Sequence, residues 1–137
     1  MKITNPSKSY KVSHHWVYSC QYHAIFCPKY RRKVLIDGVD ERLKELVYEK
    51  QSEYGYEVLE IEVMPDHVHM LLDVNPQFGI GKVIGQIKGY TAHTLRAEFP
   101  WLKSRLPSLW TRSKFVSTVG SVSLEVVKKY IEDQKGV

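Results

Sequence analysis

Cysteine is scarce. Cys20 and Cys27 are the only thiols in the chain, and no CxxC pair exists that could form a zinc or dithiol redox motif. Both are read as reduced thiols, because the opening MKITNPSKSYK lacks the apolar stretch of a secretory signal. Long hydrophobic runs are missing too. No segment approaches the roughly 20 apolar residues needed to span a bilayer, so no membrane partner is expected and a cytoplasmic location is. Internal repeats, low-complexity tracts and long linkers are also absent. The 137 residues are therefore read as one domain, 1–137, with residues 1–15 forming an N-terminal extension of unassigned role.

What is present in excess is positive charge. The net charge is +5 and the isoelectric point about 9.1, a balance that favours a polyanionic partner. Basic residues cluster in KYRRK (Lys29 to Lys33), KSR (Lys103 to Arg105), TRSK (Thr111 to Lys114) and Lys128-Lys129. Tyr30, Trp101, Trp110, Phe115 and Tyr130 lie in or near these clusters. Cations follow a phosphate backbone and aromatic faces stack on unpaired bases, so the mixture suits single-stranded nucleic acid. Composition alone favours a solvated charged face beside core aromatics.

Periodicity supplies the elements. From His14 to Cys27 the residues Trp16, Tyr18, Cys20, Tyr22, Ala24 and Phe26 alternate onto one face, as in a strand. Val39 to Tyr54 carries a helical stripe of Val39, Leu43, Leu46, Val47 and Tyr54, with Asp37 or Asp40 as cap and Gly55 as stop. Tyr56 to Met64 alternates again, and after Pro65 the chain restarts as HVHMLLDV, which predicts an antiparallel hairpin. Ile80 to Phe99 reads as a second helix with Ile80, Val83, Ile84, Ile87 and Leu95 buried, and with Gly81, Gly85 and Gly89 leaving a groove free of side chains. Leu109 to Gly120 reads as a strand. Ser121 or Ser123 can cap a last helix, VSLEVVKKYIEDQ. The order β-α-β-β-α-β plus a terminal helix predicts an α+β, ferredoxin-like antiparallel sheet with two helices on one face.

The chemistry concentrates in MPDHVHMLLDV, Met64 to Val74. On a strand, residues two apart share a face with Cα atoms about 6.6 Å apart. His67 and His69 can therefore aim both imidazoles at one cation. Two histidines with hydrogen bonds of their own would satisfy the same motif, so it does not decide alone. On the terminal helix Tyr130 and Gln134 fall on one face, beside an apolar stripe of Val127 and Ile131. A tyrosine followed one turn later by an amide is what a nucleophile with a neighbouring ligand would require.

PDHVHMLL, YRRKVL, QIKGY, LWTRSKFVSTVG and YIEDQ all occur between about Trp16 and Gln134. Together they resemble the single-tyrosine transposases of the insertion-sequence-200/605 type, within the HUH (His-hydrophobic-His) nuclease superfamily. The resemblance implies that His67, His69 and Gln134 bind a divalent metal and that Tyr130 is the nucleophile. It implies cleavage and rejoining of single-stranded DNA with hairpin ends through a 5′-phosphotyrosine. It also implies a homodimer in which the tyrosine helix can act in trans, while Asp66 steadies the site. Mg²⁺ and Mn²⁺ both remain candidates: two nitrogens and an amide oxygen suit Mn²⁺, whereas abundance favours Mg²⁺. Lys29, Arg31, Arg32, Lys88, Arg112 and Lys114 are the candidates for DNA backbone contacts, and Lys128 or Lys129 for offsetting developing phosphate charge.

Rival readings fare unevenly. A zinc deaminase needs H-x-E and P-C-x-x-C; here Val-His stands where the glutamate belongs. A non-catalytic single-stranded nucleic-acid module on the same fold would share RSKFVSTV with the RNA-recognition motif only faintly, and it has no use for His67, His69 and Tyr130 together. A domesticated transposase that processes host repeats is compatible with every residue named.

Overall fold

Alternating burial builds the central sheet. The computed structural model describes residues 10–13, 15–119 and 124–137. In strand β3 (Gln21–Phe26), Tyr22, Ala24 and Phe26 turn into a helix-covered core, while His23 and Ile25 turn to the opposite face. Strands β4 (Tyr56–Met64) and β5 (His67–Val74) form the expected hairpin, and β6 (Phe115–Thr118) pairs with β3. The order is β4-β5-β3-β6, antiparallel throughout. With one long and one short α-helix in each of the connections β3 to β4 and β5 to β6, this is the ferredoxin-like arrangement. β5 has partners on both edges and is buried along its whole length.

Helix α1 (Val39–Glu49), the short α2 (Gln51–Tyr54) and helix α3 (Ile80–Glu98) follow the expected stripes. Leu43, Leu46, Val83, Ile84, Ile87 and Leu95 meet Phe26, Met70 and Leu72 in the main core. The predicted helix 39–54 is interrupted at Lys50, whose backbone (φ −97°, ψ 7°) leaves the helical region. Neither Asp37 nor Asp40 caps α1: Gly38 holds the N-cap position at φ 96°, and Asp40 sits in the first turn. Gly55 does end the second piece, at φ 77°, and a Cβ there would run into the Phe78 ring. A short helix α4 (Trp101–Arg105), not anticipated from the sequence, begins directly after Pro100. A Cβ added at Gly81, Gly85 or Gly89 would meet nothing, so the groove faces open space.

Two predicted strands are corrected. The stretch His14 to Cys27 breaks at Cys20, whose N–H goes to Asp73 Oδ1 (3.1 Å) and whose carbonyl accepts from the Val74 N–H (2.8 Å). Upstream, β1 (Lys11–Ser13) and β2 (Trp16–Tyr18) make a separate two-stranded hairpin, so Trp16 and Tyr18 do not join Tyr22, Ala24 and Phe26 on the core face. Most of the extension 1–15 lies outside the described residues, as do His14, Gly120 and the proposed caps Ser121 and Ser123.

Among the described residues of the stretch Leu109 to Gly120, the strand is confined to β6. Continuing that register would set Pro28 against Arg112, but Pro28 bridges Trp110 instead. Proline has no N–H to give a ladder. The flanking bonds Lys29 N–H to Leu109 O (2.8 Å) and Thr111 N–H to Cys27 O (3.0 Å) close around it, and residues 111–114 bulge out of the sheet.

Candidate active site

The face of the sheet away from α1 and α3 carries the chemistry-bearing residues. Val68, Met70 and Leu72 fill the core, so strand parity turns His67 and His69 the other way, both buried. Asp66, in the turn before β5, puts Oδ1 2.8 Å from His67 Nδ1. Arg31 Nε is 3.3 Å from the other carboxylate oxygen, so the carboxylate is itself held. An Nδ1–H donated to Asp66 leaves the Nε2 lone pair free. That Nε2 atom is buried and, among the described residues, has no hydrogen-bond partner. A buried polar atom without a partner is costly unless something binds it, and a divalent cation fits.

His69 has a partner the sequence did not suggest. Its Nε2 lies 3.0 Å from His23 Nδ1, and the two rings stack with centroids 5.1 Å apart. Burial first, then the neighbouring His23, lowers the His69 pKa to about 4, and burial lowers that of His23. Both rings are thus neutral at pH 7, the form in which imidazole ligates metals. A cation at His69 Nε2 would replace the contact with His23. Glu62 stands opposite His69 on β4, because the bulge between Val58 and Glu60 turns Glu60 and Glu62 onto this face.

Helix α5 (Leu124–Glu132) lies on the same face. Val127 and Ile131 bury themselves against Ile25, the cross-strand neighbour of His69, with Phe115 and Tyr130 packed alongside. The hydrophobic stripe therefore anchors α5 as the sequence suggested. Tyr130 is half-buried, with its hydroxyl 2.9 Å from Ser113 Oγ and its ring 5.5 Å from that of Phe115. Burial raises its pKa, an effect the Ser113 bond partly offsets. Gln134 lies just past the helix, in a turn where its N–H donates to Ile131 O (3.1 Å). Its buried Oε1 accepts from Thr111 Oγ1 at 3.5 Å. Among the described residues no three His, Cys, Asp or Glu groups converge as a cation cage. Gln134 brings an amide oxygen to the histidine-bearing face.

The basic candidates divide. Arg112, Lys114 and Arg32 are not buried; Arg32, Lys33, Val34 and Arg105 line an open cavity of about 310 Å³. Lys29 sits over the Tyr30 ring (5.3 Å). Arg31 and Lys88 are engaged inside the protein. Besides Asp66, Arg31 reaches Glu132 (3.0 Å) and the Ile131 carbonyl (3.4 Å), tying the histidine turn to α5. Lys88 Nζ donates to the carbonyls of Thr111 (2.6 Å) and Ser113 (3.1 Å). Lys128 and Lys129 are exposed, and Lys129 pairs with Asp133 at 3.3 Å. Cys27 is a free, buried thiol with its pKa pushed up to about 12 by burial, then by Asp66, so it is inert at neutral pH.

His23, Asp66, Thr111, Ser113, Arg31 and Lys88 therefore surround the residues named from the motif. For His23 one signal existed: it has the opposite parity to Tyr22, Ala24 and Phe26, and it is the one polar side chain between Tyr22 and Phe26.

A ferredoxin-like sheet with an H-x-H pair on its open face, and a terminal helix carrying a tyrosine packed on that face, has the architecture of a single-tyrosine transposase. The chain belongs to the IS200-like transposase family, whose description, "Transposase IS200 like", matches residues 16–134. It is 39% identical over 121 residues to the ISDra2 transposase TnpA of Deinococcus radiodurans, covering 87% of this chain and 86% of that one. It is 32% identical over 127 residues to the transposase for insertion sequence element IS200 of Salmonella typhimurium, covering 88% and 83%. A crystal structure assigned as a transposase from Deinococcus radiodurans superposes with a TM-score of 0.83 at 36% identity, over 93% of this chain and 99% of that one. A REP-associated tyrosine transposase bound to a REP hairpin shares the fold, with a TM-score of 0.57 at 11% identity, over 89% and 68%. Among the described residues no helix is long and apolar enough to cross a membrane.

Proposed function

We propose that the chain cleaves and rejoins single-stranded DNA at the ends of an insertion element by transesterification. His67, His69 and Gln134 would hold Mg²⁺ or Mn²⁺, which supplies Lewis-acid polarisation of the scissile phosphate when bound. The observation that supports the reading is the buried His67 Nε2, unpartnered among the described residues and oriented by Asp66, on the sheet face against which α5 packs with Tyr130.

The Tyr130 oxygen attacks phosphorus. An O–P bond forms, the bond from phosphorus to the 3′ oxygen breaks, and the departing 3′ oxygen takes a proton, balancing the one the phenol gives up. The energy of the ester is conserved in the phosphotyrosine, so a 3′-OH can later attack it and rejoin strands. Burial keeps the phenol protonated at neutral pH, so its proton has to leave as the O–P bond forms. Ser113 Oγ, 2.9 Å away, can accept the phenol's hydrogen bond and fix the lone pair available for attack. His69 and His23 remain neutral, and Arg31 holds Asp66 in place behind His67. Arg32, Arg112 and Lys114, none of them buried, are the backbone contacts to a hairpin-bearing strand. The active assembly is a homodimer in which α5 can serve the partner's site, and the single domain 1–137 works in the cytoplasm.

The test is incubation with hairpin-bearing single-stranded DNA and Mg²⁺ or Mn²⁺, followed by a denaturing gel. A covalent adduct is expected that disappears in Tyr130→Phe and falls strongly in His67→Ala and His69→Ala, while Tyr130→Phe still binds the hairpin. Hairpin binding with no adduct under either metal would sink the catalytic reading in favour of a binding module.

A further inference from the structure

The bulge at residues 111–114 joins three groups that no single motif connects. On the helix side of the sheet, Lys88 Nζ donates to the Thr111 and Ser113 carbonyls, at 2.6 and 3.1 Å. On the α5 side, the hydroxyls of the same two residues meet the catalytic candidates: Ser113 Oγ lies 2.9 Å from the Tyr130 hydroxyl, and Thr111 Oγ1 donates to Gln134 Oε1 at 3.5 Å. Thr111 Oγ1 also accepts the Ser113 N–H at 3.1 Å, so the bulge braces itself.

We propose that Lys88 is a positioning residue, fixing the 111–113 bulge so that its hydroxyls hold the Tyr130 phenol and the Gln134 amide in register. The proposal rests on Tyr130 being the nucleophile. Residues out of ladder register leave carbonyls that need a donor, and Lys88 supplies N–H groups to two of them. An aliphatic side chain at position 88 could pack there but would leave both carbonyls unsatisfied. The ammonium is also 5.7 Å from the Phe26 ring, which favours a cation there. Burial lowers the Lys88 pKa to about 8, with Lys114 lowering it further and Cys27 opposing. A neutral amine keeps two N–H donors, enough for the two carbonyls, so the brace survives loss of the proton. Lys88 therefore acts through hydrogen bonds, whereas a phosphate-contacting lysine acts through charge.

That difference makes the inference testable. Single-turnover adduct formation would be followed with hairpin DNA at saturating concentration, alongside hairpin affinity and its salt dependence. Lys88→Met is expected to slow the covalent step by about 10- to 100-fold, the scale of an ångström-sized misplacement of reacting groups. Hairpin affinity should move less than about twofold, and the slope of affinity against salt should not change. Lys88→Gln, neutral but still a donor, is expected to recover a measurable part of the rate. Ser113→Ala should slow wild type but add little to Lys88→Met, since both act along one path. If Lys88→Met does not fold, Lys88→Gln and Ser113→Ala carry the comparison alone. Glutamine and methionine variants that are equally slow, with weakened affinity and a shallower salt slope, would identify a phosphate contact and overturn the proposal. A wild-type rate in Lys88→Met would also overturn it and leave the Tyr130 mechanism standing; absence of any wild-type adduct would end both.

Discussion

Asp66 Oδ1 stands 2.8 Å from His67 Nδ1, which fixes which nitrogen of that imidazole carries a proton and which is left to bind. Arg31 holds the same carboxylate from behind and reaches Glu132 beyond the end of the Tyr130 turn. The histidine turn and the tyrosine helix are thereby linked through one guanidinium.

The first prediction concerns that carboxylate. Removing a hydrogen-bonding partner of a metal-ligating histidine typically costs about 10- to 100-fold in metal affinity or activity. Asp66→Ala should accordingly shift the Mn²⁺ dependence of adduct formation to higher concentration by that factor, and Asp66→Asn by less. Mn²⁺ binding followed by electron paramagnetic resonance, with no DNA present, gives a second measure. An unchanged Mn²⁺ affinity in Asp66→Ala would mean that His67 needs no orienting partner.

Arg31, Arg112 and Lys114 look alike in the sequence as candidates for the DNA backbone, yet they differ in surroundings. Arg31 is engaged by Asp66, Glu132 and the Ile131 carbonyl, while Arg112 and Lys114 are not buried. Removing one cation from a phosphate lowers the slope of log affinity against log salt by about 1. Arg112→Ala and Lys114→Ala should therefore weaken hairpin binding with shallower salt slopes. Arg31→Met should leave the slope near wild type while reducing adduct yield and increasing amide exchange in α5. A slope change in Arg31→Met as large as in Lys114→Ala would return Arg31 to the DNA surface.

The reason for this uneven legibility lies in which interactions are local. His67 and His69 share a face because a strand alternates, and Val127, Tyr130 and Ile131 fall together because a helix repeats; both rules act over a few residues, whereas Gln134 sits in the turn after α5, where the helical repeat no longer applies. The pairing of His23 with His69 depends on a register between strands 46 positions apart, which no local rule supplies. Lys88 and Arg31 looked like solvent-facing cations because the bulge at 111–114 and the left-handed backbone at Tyr30 and Arg31 (φ 59° and 51°) are set by tertiary packing. Pro28 was the available hint, since a residue without an N–H at the end of β3 makes continuation of the 109–120 strand unfavourable. The main helices and β4-β5 were legible because their apolar stripes are long and strictly periodic.

The last prediction follows from the half-buried Lys88 and the buried Cys27, which pull stability in opposite directions with pH. Lys88 has an ordinary pKa of 10.5 and a folded value of about 8, so between those values the unfolded chain holds a proton the folded one lacks. Raising pH through that window favours the fold. Cys27 behaves in reverse: its thiol moves from 9.0 to about 12, so above pH 9 the unfolded chain releases a proton the folded one keeps, and stability falls. The charged groups acting on this pair are Asp66, Arg31 and Lys114, and Lys88 and Cys27 also act on each other. Stability should therefore rise from about pH 8 to 9 and level between about 9 and 10.5 as the two effects oppose. Above that it should decline, with the buried phenol of Tyr56 and the half-buried one of Tyr130, both shifted upward, adding to the loss. Urea unfolding at a series of pH values checks this. In Cys27→Ala the rise should continue toward about pH 10 before the phenols intervene. In Lys88→Met it should vanish, and the decline should begin near pH 9, where the unfolded thiol titrates. A wild-type curve that falls steadily from about pH 8 would mean that the Lys88 ammonium keeps its proton through that range, and that the two carbonyls of the bulge hold it as a cation.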